Sequence, residues 1–230
     1  SNPWTWSTAP LKIDQSRIVP FFDPSSMTPA LMQQHPTHYY VKQPNYLSHG
    51  TALFRGFAPV LTLSREIATC ELLRAYPHPN ICFYHGVQLD RYSRISGLVF
   101  DRYDTNLHEY VRQGHRFDAA ACLADIEHGI DHMHRLGLVH CDVKPSNIFV
   151  DVANQRFVLG DFDSTHRRGQ HIDMKWGTPG WSDERFVEAQ REVDFYGLGM
   201  VRYWLQNKGW GVPEPGESYV RTKELFDGAE

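Results

Sequence analysis

The stretch that most constrains this chain runs from His140 to Asp161 and reads HCDVKPSNIFVDVANQRFVLGD. It sets Asp142, Lys144, Asn147 and Asp161 around two short apolar runs, Ile148–Val150 and Phe157–Leu159, which read as strands joined by a polar turn. A lysine two residues after Asp142 neutralises charge beside it, and in a tight loop Asn147 converges on the same point. Asp161 follows a strand, from which its carboxylate can face the same cleft. A carboxylate and an amide oxygen are hard donors suited to Mg²⁺, which keeps several waters and binds substrate phosphates. That leaves Asp142 to orient a hydroxyl nucleophile or accept its proton.

The chain has 230 residues, 41% apolar and 13% aromatic, enough for one large domain or two small lobes with a shared core. Net charge is −4 with both signs mixed, and no basic stripe or polybasic arm is present. Nucleic-acid and membrane partners are therefore not expected. No apolar run is long enough to span a bilayer, and no charged-then-apolar leader opens the sequence as given. The cysteines, at 70, 82, 122 and 141, form no Cys-x-x-Cys pair. Two of them lie in segments that read as buried helix or strand, and the set predicts a reduced, intracellular protein, cytoplasmic or nuclear. His128, His132 and His134 are the densest histidine group but lack a His-Glu-x-x-His motif, so helix-surface histidines are expected rather than zinc ligands.

Along the chain, residues 1–35 carry scattered aromatics, among them Trp4, Trp6, Phe21 and Phe22, with no clear period, and the first glycine is Gly50. His38–Gln43 is β-prone, and Pro44–Gly50 reads as a turn. Phe57–Leu63 is apolar and broken by Pro59, after which Ser64 is expected to cap a helix to about Ala75. Ile81–Val87 and Gly97–Phe100 read as strands, Asp101–Asn106 as a polar linker, and Leu107–Gln113 as a short helix. Asp118 is expected to cap the strongest helix, to about Leu136, with Leu123, Ile126, Ile130 and Met133 on its apolar face and Gly137 ending it. Ser164–Lys175 reads as a polar loop, residues 176–181 as turns, Asp194–Leu205 as a helix, and the rest as a polar tail. The order predicts an α+β fold: a smaller β-rich lobe, a larger helical lobe and a cleft between them.

These residues resemble those of the protein kinase family, Ser/Thr type. His140-Cys141-Asp142-Val143-Lys144-Pro145-Ser146-Asn147 is similar to the catalytic loop, and Asp161-Phe162-Asp163 to Asp-Phe-Gly. The resemblance covers roughly residues 38 to 205 and implies roles for further positions. Lys42, in YYVK, matches the lysine on the ATP phosphates, and Glu66 the glutamate that pairs with it, in preference to Glu71 of the same helix. Phe100 matches the gatekeeper, and the backbone of Asp101 and Tyr103 the adenine-facing hinge. Asp194 matches the residue that braces the catalytic loop, and Gly177-Thr178-Pro179 through Glu184 the end of the activation segment. By the same resemblance, Asp161 and Asn147 would hold Mg²⁺, Asp142 would orient the attacking hydroxyl, and Lys144 would stabilise the transferring phosphoryl group. The implied lobes are residues 1–100 and, from the hinge onward, 101–230.

The sequence departs from that pattern in several places. No glycine precedes Gly50, so no glycine-rich loop stands before Lys42. Tyr40 occupies the position usually held by a small alanine over the adenine. Asp163 replaces a glycine, and Cys141 replaces the arginine that answers an activation-loop phosphate. The large lobe is shorter than is usual in the family. The resemblance implies an ATP- and Mg²⁺-dependent phosphotransferase acting on a hydroxyl of a protein or small molecule. The departures keep open a pseudokinase scaffold, and a kinase-fold enzyme that uses ATP for another reaction on a small molecule.

Overall fold

The computed structural model describes residues 19–31, 36–44, 59–172, 177–183 and 185–207. Expectations for Trp4, Trp6, Gly50, Phe57, Lys175, Trp176, Glu184 and the tail beyond 207 lie outside them.

Strands β1 (Tyr39–Lys42), β2 (Tyr84–Leu89) and β3 (Ile95–Asp101) form an antiparallel sheet in the order β1–β3–β2. The register pairs Tyr40 with Phe100 and Lys42 with Leu98. Side chains alternate across a strand, so Tyr40 and Lys42 share one face of β1. Helix α1 (Pro59–Ala75) packs on β2 and on a 3-10 turn at Phe162–Ser164, burying Leu63, Ile67, Cys70 and Leu73. The helix starts at Pro59, so Ser64 lies inside it and does not cap it. The reason is local: proline's fixed φ suits the first helical turn, where its missing N–H has no partner to lose.

The segment after β3 is short and structured. Thr105–Asn106 is a strand, β4, pairing with Phe149 and Val150, so the expected linker is only its first few residues. Polar composition concealed a pairing made through backbone groups, which any side chain permits. Asn106 then caps α2 (Leu107–Arg112), accepting the Glu109 N–H. Asp118 caps α3 (Ala119–Arg135) by accepting from the Ala120 and Ala121 amides. Ile126, Ile130 and Met133 of α3 are fully buried, and Gly137 follows with a positive φ.

Strand β5 (Leu138–Val139) leads into the catalytic-loop stretch. A 3-10 turn at Pro145–Asn147 then feeds β6 (Ile148–Asp151), which pairs with β7 (Arg156–Leu159). Past Asp161 the expected polar loop is partly core. Ser164, Thr165 and His166 are buried, and His166–Arg167 forms β8 against β5. Helix α4 (Arg191–Gln206) ends the described chain. A Cβ on its Gly197 would lie 2.8 Å from the Val143 carbonyl oxygen, so a glycine there lets the helix lie directly under the catalytic loop. Cys82 N–H donates to the Leu159 carbonyl and Leu159 N–H to that of Asn80, which ties the start of the small sheet's second arm to β7. One continuous core runs from α1 through β3 and α3 to α4.

Candidate active site

The catalytic-loop stretch is held from beneath. Asp194, at the start of α4 and fully buried, accepts through Oδ2 from His140 N–H and His134 Nε2, and through Oδ1 from Cys141 N–H, each at 2.8 Å. This support holds Cys141 at φ +63°, a left-handed conformation that costs a non-glycine residue roughly 1 kcal/mol or more. The His140 ring donates from Nε2 to the Gly160 carbonyl and accepts the Asp142 N–H at Nδ1, so its tautomer follows from its two partners. The Cys141 thiol is buried and bonds the Val139 carbonyl; burial pushes its pKa up, as expected of a packed, inert thiol.

Past the bend the Asp142 carboxylate is buried among protein donors. Its Oδ2 accepts from Lys144 Nζ at 2.6 Å and Asn147 Nδ2 at 3.0 Å, and its Oδ1 accepts from the Thr178 N–H and hydroxyl, both at 2.9 Å. Lys144 Nζ also reaches Thr178 Oγ1 at 2.5 Å. Asn147 uses its NH₂ for Asp142, through the side chain and the backbone carbonyl, which leaves its Oδ1 as an acceptor.

Across the cleft, Lys42 gathers three carboxylates. Its Nζ lies 2.7 Å from Glu66 Oε1, 2.5 Å from Asp161 Oδ1 and 3.6 Å from Asp163 Oδ2. Burial works against the Lys42 charge, but these carboxylates outweigh it and hold the ammonium above the usual lysine range. Glu66 is almost wholly buried, and burial pushes its carboxyl up to about 7 despite Lys42 beside it. Glu71, the other acidic residue of that helix, turns away and accepts from Thr28. Asp161 has φ +61°, and the Phe162 ring that follows is fully buried, edge-on to His140.

Between the two sides lies a cavity of about 340 Å³. Lys42, Asp161 and Asn147 line it, together with Phe100, Asp101 and Tyr103, and Tyr40 and Phe149 also face it. Tyr40 is 48% exposed and does not fill the space. Tyr103 stacks on Phe149 with ring centroids 5.9 Å apart. The Asp101 amide is committed to the Phe83 carbonyl and the Arg102 amide to that of His38. Of the residues singled out from the sequence, Lys42, Asn147, Asp161, Phe100, Asp101 and Tyr103 line this cavity, Glu66 bonds Lys42 and Asp142 bonds Asn147, while Lys144 and Asp194 stand further back.

The sequence model of the protein kinase domain matches residues 60–220, well over half of the chain. The chain belongs to the protein kinase family. That match begins after Lys42, which only the folded sheet brings to the cleft. Human MAPK/MAK/MRK overlapping kinase is 38% identical over 107 residues, covering 44% of this chain and 24% of that protein. The probable serine/threonine-protein kinase gdt2 of Dictyostelium discoideum is 26% identical over 212 residues, 79% of this chain and 12% of that protein. The chain thus spans a quarter or less of the length of these relatives. The solved structure of the Cydia pomonella Granulovirus kinase, PK-1, superposes with a TM-score of 0.54 at 22% identity, covering 71% of this chain and 64% of that one; it shows the kinase-like α+β fold.

The donors of this kinase-family chain fit a magnesium nucleotide. Three carboxylates around one ammonium leave a negative excess that a divalent cation would offset. Among the described residues no group of three or more His, Cys, Asp or Glu forms a protein-only metal cage. The Asp161 carboxylate and the free Asn147 Oδ1 are hard oxygen donors of the kind that suits Mg²⁺, which takes few protein ligands and completes its shell with water and phosphate. Two contributors were not assigned a role from the sequence. Thr178 bonds both Asp142 and Lys144, and its only linear signal was the GTP triplet that contains it. Arg65 of α1 donates to His166 and to the Asp163 carbonyl, about a hundred residues away, and nothing local marks it. The histidine group is structural: His132 bonds the Tyr76 carbonyl and stacks on His78, and His134 bonds Asp194.

Proposed function

We propose that this chain is an ATP- and Mg²⁺-dependent phosphotransferase of the serine/threonine type, which transfers a γ-phosphoryl group to a hydroxyl of a protein or small molecule. One observation carries the reading. Lys42 and Asp161, ion-paired with each other, line the cavity with Asn147, Glu66 backs Lys42, and the Asp142–Lys144–Thr178 cluster is tied to the cavity through Asn147.

In this reading residues 1–100 are the small lobe and 101–230 the hinge and large lobe. Lys42 holds the α- and β-phosphates, and Glu66 fixes its rotamer. Asp161 and the Asn147 Oδ1 hold Mg²⁺, which supplies charge neutralisation at the phosphates. Asp142 orients the acceptor hydroxyl and takes its proton through Oδ1 or Oδ2. Lys144 remains beside Asp142 to balance charge on the transferring group. The hinge wall of Phe100, Asp101 and Tyr103 faces the base. An intracellular location, cytoplasmic or nuclear, belongs to the same proposal; among the described residues no helix is long and apolar enough to cross a membrane.

The test is incubation with Mg-ATP, following nucleotide products and the masses of the protein and of candidate acceptors. ADP formation is expected, and Asp161→Ala should lower it by about two orders of magnitude or more. AMP and pyrophosphate would instead indicate other chemistry on the same fold. A second reading, a pseudokinase scaffold, draws on one observation: no glycine precedes Gly50, so Lys42 lies on a strand with no glycine-rich loop before it. Absence of binding and turnover at saturating Mg-ATP would decide for it.

A further inference from the structure

Glu66 can orient Lys42 only while α1 holds its place, and the described residues show what holds the face of α1 turned away from the cleft. Residues 23–31 form a turn and then, at Thr28–Ala30, meet β2, an edge strand of the small sheet. The Val87 N–H donates to the Thr28 carbonyl at 2.8 Å, and the Ala30 N–H donates to the Val87 carbonyl at 2.9 Å, so Pro29 and Val87 pair in parallel. The exposed ladder of that edge is thereby covered at this point. Thr28 turns its remaining polar groups to α1. Its N–H donates to Glu71 Oε1 at 2.7 Å and its hydroxyl to Glu71 Oε2 at 2.8 Å. One residue thus bonds the sheet through its carbonyl and the helix through its amide and hydroxyl.

The segment is built for this approach. Asp23 caps its first turn, accepting from Ser25 and Ser26 through its side chain and from Met27 through its carbonyl. Phe22 and Met27 pack on the main core. Gly86 of β2 has φ +136°, and a Cβ there would lie 2.4 Å from the Thr28 carbonyl oxygen. Only glycine lets the two backbones come this close. Glu71 lies five residues beyond Glu66, about 7.5 Å along α1 and about 140° around it, so the helix is gripped from two sides.

We propose that residues 23–31 are a built-in strap that positions α1 for the Lys42–Glu66 pair, with Thr28 and Glu71 as its fastening. Both are positioning residues, acting on bound nucleotide through Lys42; the inference rests on the phosphate-binding role proposed for that lysine. Releasing the fastening lets α1 move away from Lys42, which weakens the hold on phosphate without touching the base wall or the catalytic loop.

The test measures Mg-ATP affinity by calorimetry and amide hydrogen exchange across residues 59–75, in the full chain. Glu71→Ala should weaken Mg-ATP binding by about three- to tenfold and speed exchange in α1. In a Lys42→Met background the same change should have no further effect on affinity. A merely structural contact would give equal losses in both backgrounds, and that result overturns the proposal. Thr28→Val should reproduce part of the defect and Thr28→Ser should restore it, since serine keeps the hydroxyl. Unchanged α1 exchange in both Glu71→Ala and Thr28→Val also overturns it. A wild-type protein that does not bind Mg-ATP would defeat the proposed function instead, while the exchange measurement would still decide the strap.

Discussion

The two sides of the cleft are held in different ways. On the catalytic-loop side each polar group has several partners: Asp142 accepts from Lys144, Asn147 and Thr178, and Asp194 accepts from two amides and a histidine. Asp142 and Asp194 are buried. On the small-sheet side, Lys42 and Tyr40 stand on β1, an edge strand four residues long, and Tyr40 is 48% exposed. There, position is set at a distance, by Glu66 on α1 and by the residues that hold α1 from behind. In the proposed reading, the group that orients the hydroxyl stands where buried hydrogen bonds fix the geometry, and the phosphate-binding lysine stands where geometry depends on the placement of one helix.

The largest effect expected from this contrast is at Asp194. Asp194→Ala strips the partners from two buried amides and His134, and should destabilise the protein by about 3–5 kcal/mol in urea denaturation. A loss below about 1 kcal/mol would mean the loop holds itself and would erase the contrast. Next is Tyr40→Ala. If the ring stacks on the base, nucleotide affinity should fall about tenfold, for adenosine as for ATP. Tighter binding would show instead that the ring obstructs the cavity.

The smallest effect is a pH dependence. Burial raises the Glu66 carboxyl from 4.5 to about 7 in the folded chain, so the folded state binds this proton more tightly than the unfolded one. The contribution of Glu66 to stability is then full below 4.5 and declines as pH rises from there through about 7. Thermal unfolding of wild type should decline relative to Glu66→Gln across that interval.

Much of the fold was legible because its signals are local. Asp118 announces α3, the apolar run Gly97–Phe100 announces β3, and the spacing of Asp142, Lys144, Asn147 and Asp161 names a site before any contact is known. One misreading was local: Ser64 is a good cap in isolation, yet Pro59 opens the helix. The rest depends on partners distant in sequence. Thr105–Asn106 is polar, yet its backbone extends a sheet. Residues 164–166 look like a surface loop, yet they are buried because β8 has β5 to pair with. Of two glutamates on α1, the resemblance favoured Glu66 for Lys42; only the fold shows Glu71 occupied elsewhere, by Thr28.

The sequence by itself determined which donor groups stand together in one loop. Donor types and their spacing in one loop are covalent facts, and a loop of that length has few ways to arrange them. The tertiary structure decided which groups meet and what holds them. Lys42 and Asp161 are 119 residues apart, Cys141 and Asp194 are 53 apart, and Thr28 and Glu71 are 43 apart. Such pairs carry no linear signature, since each forms only after burial of a shared core has offset the entropy of closing the chain between them.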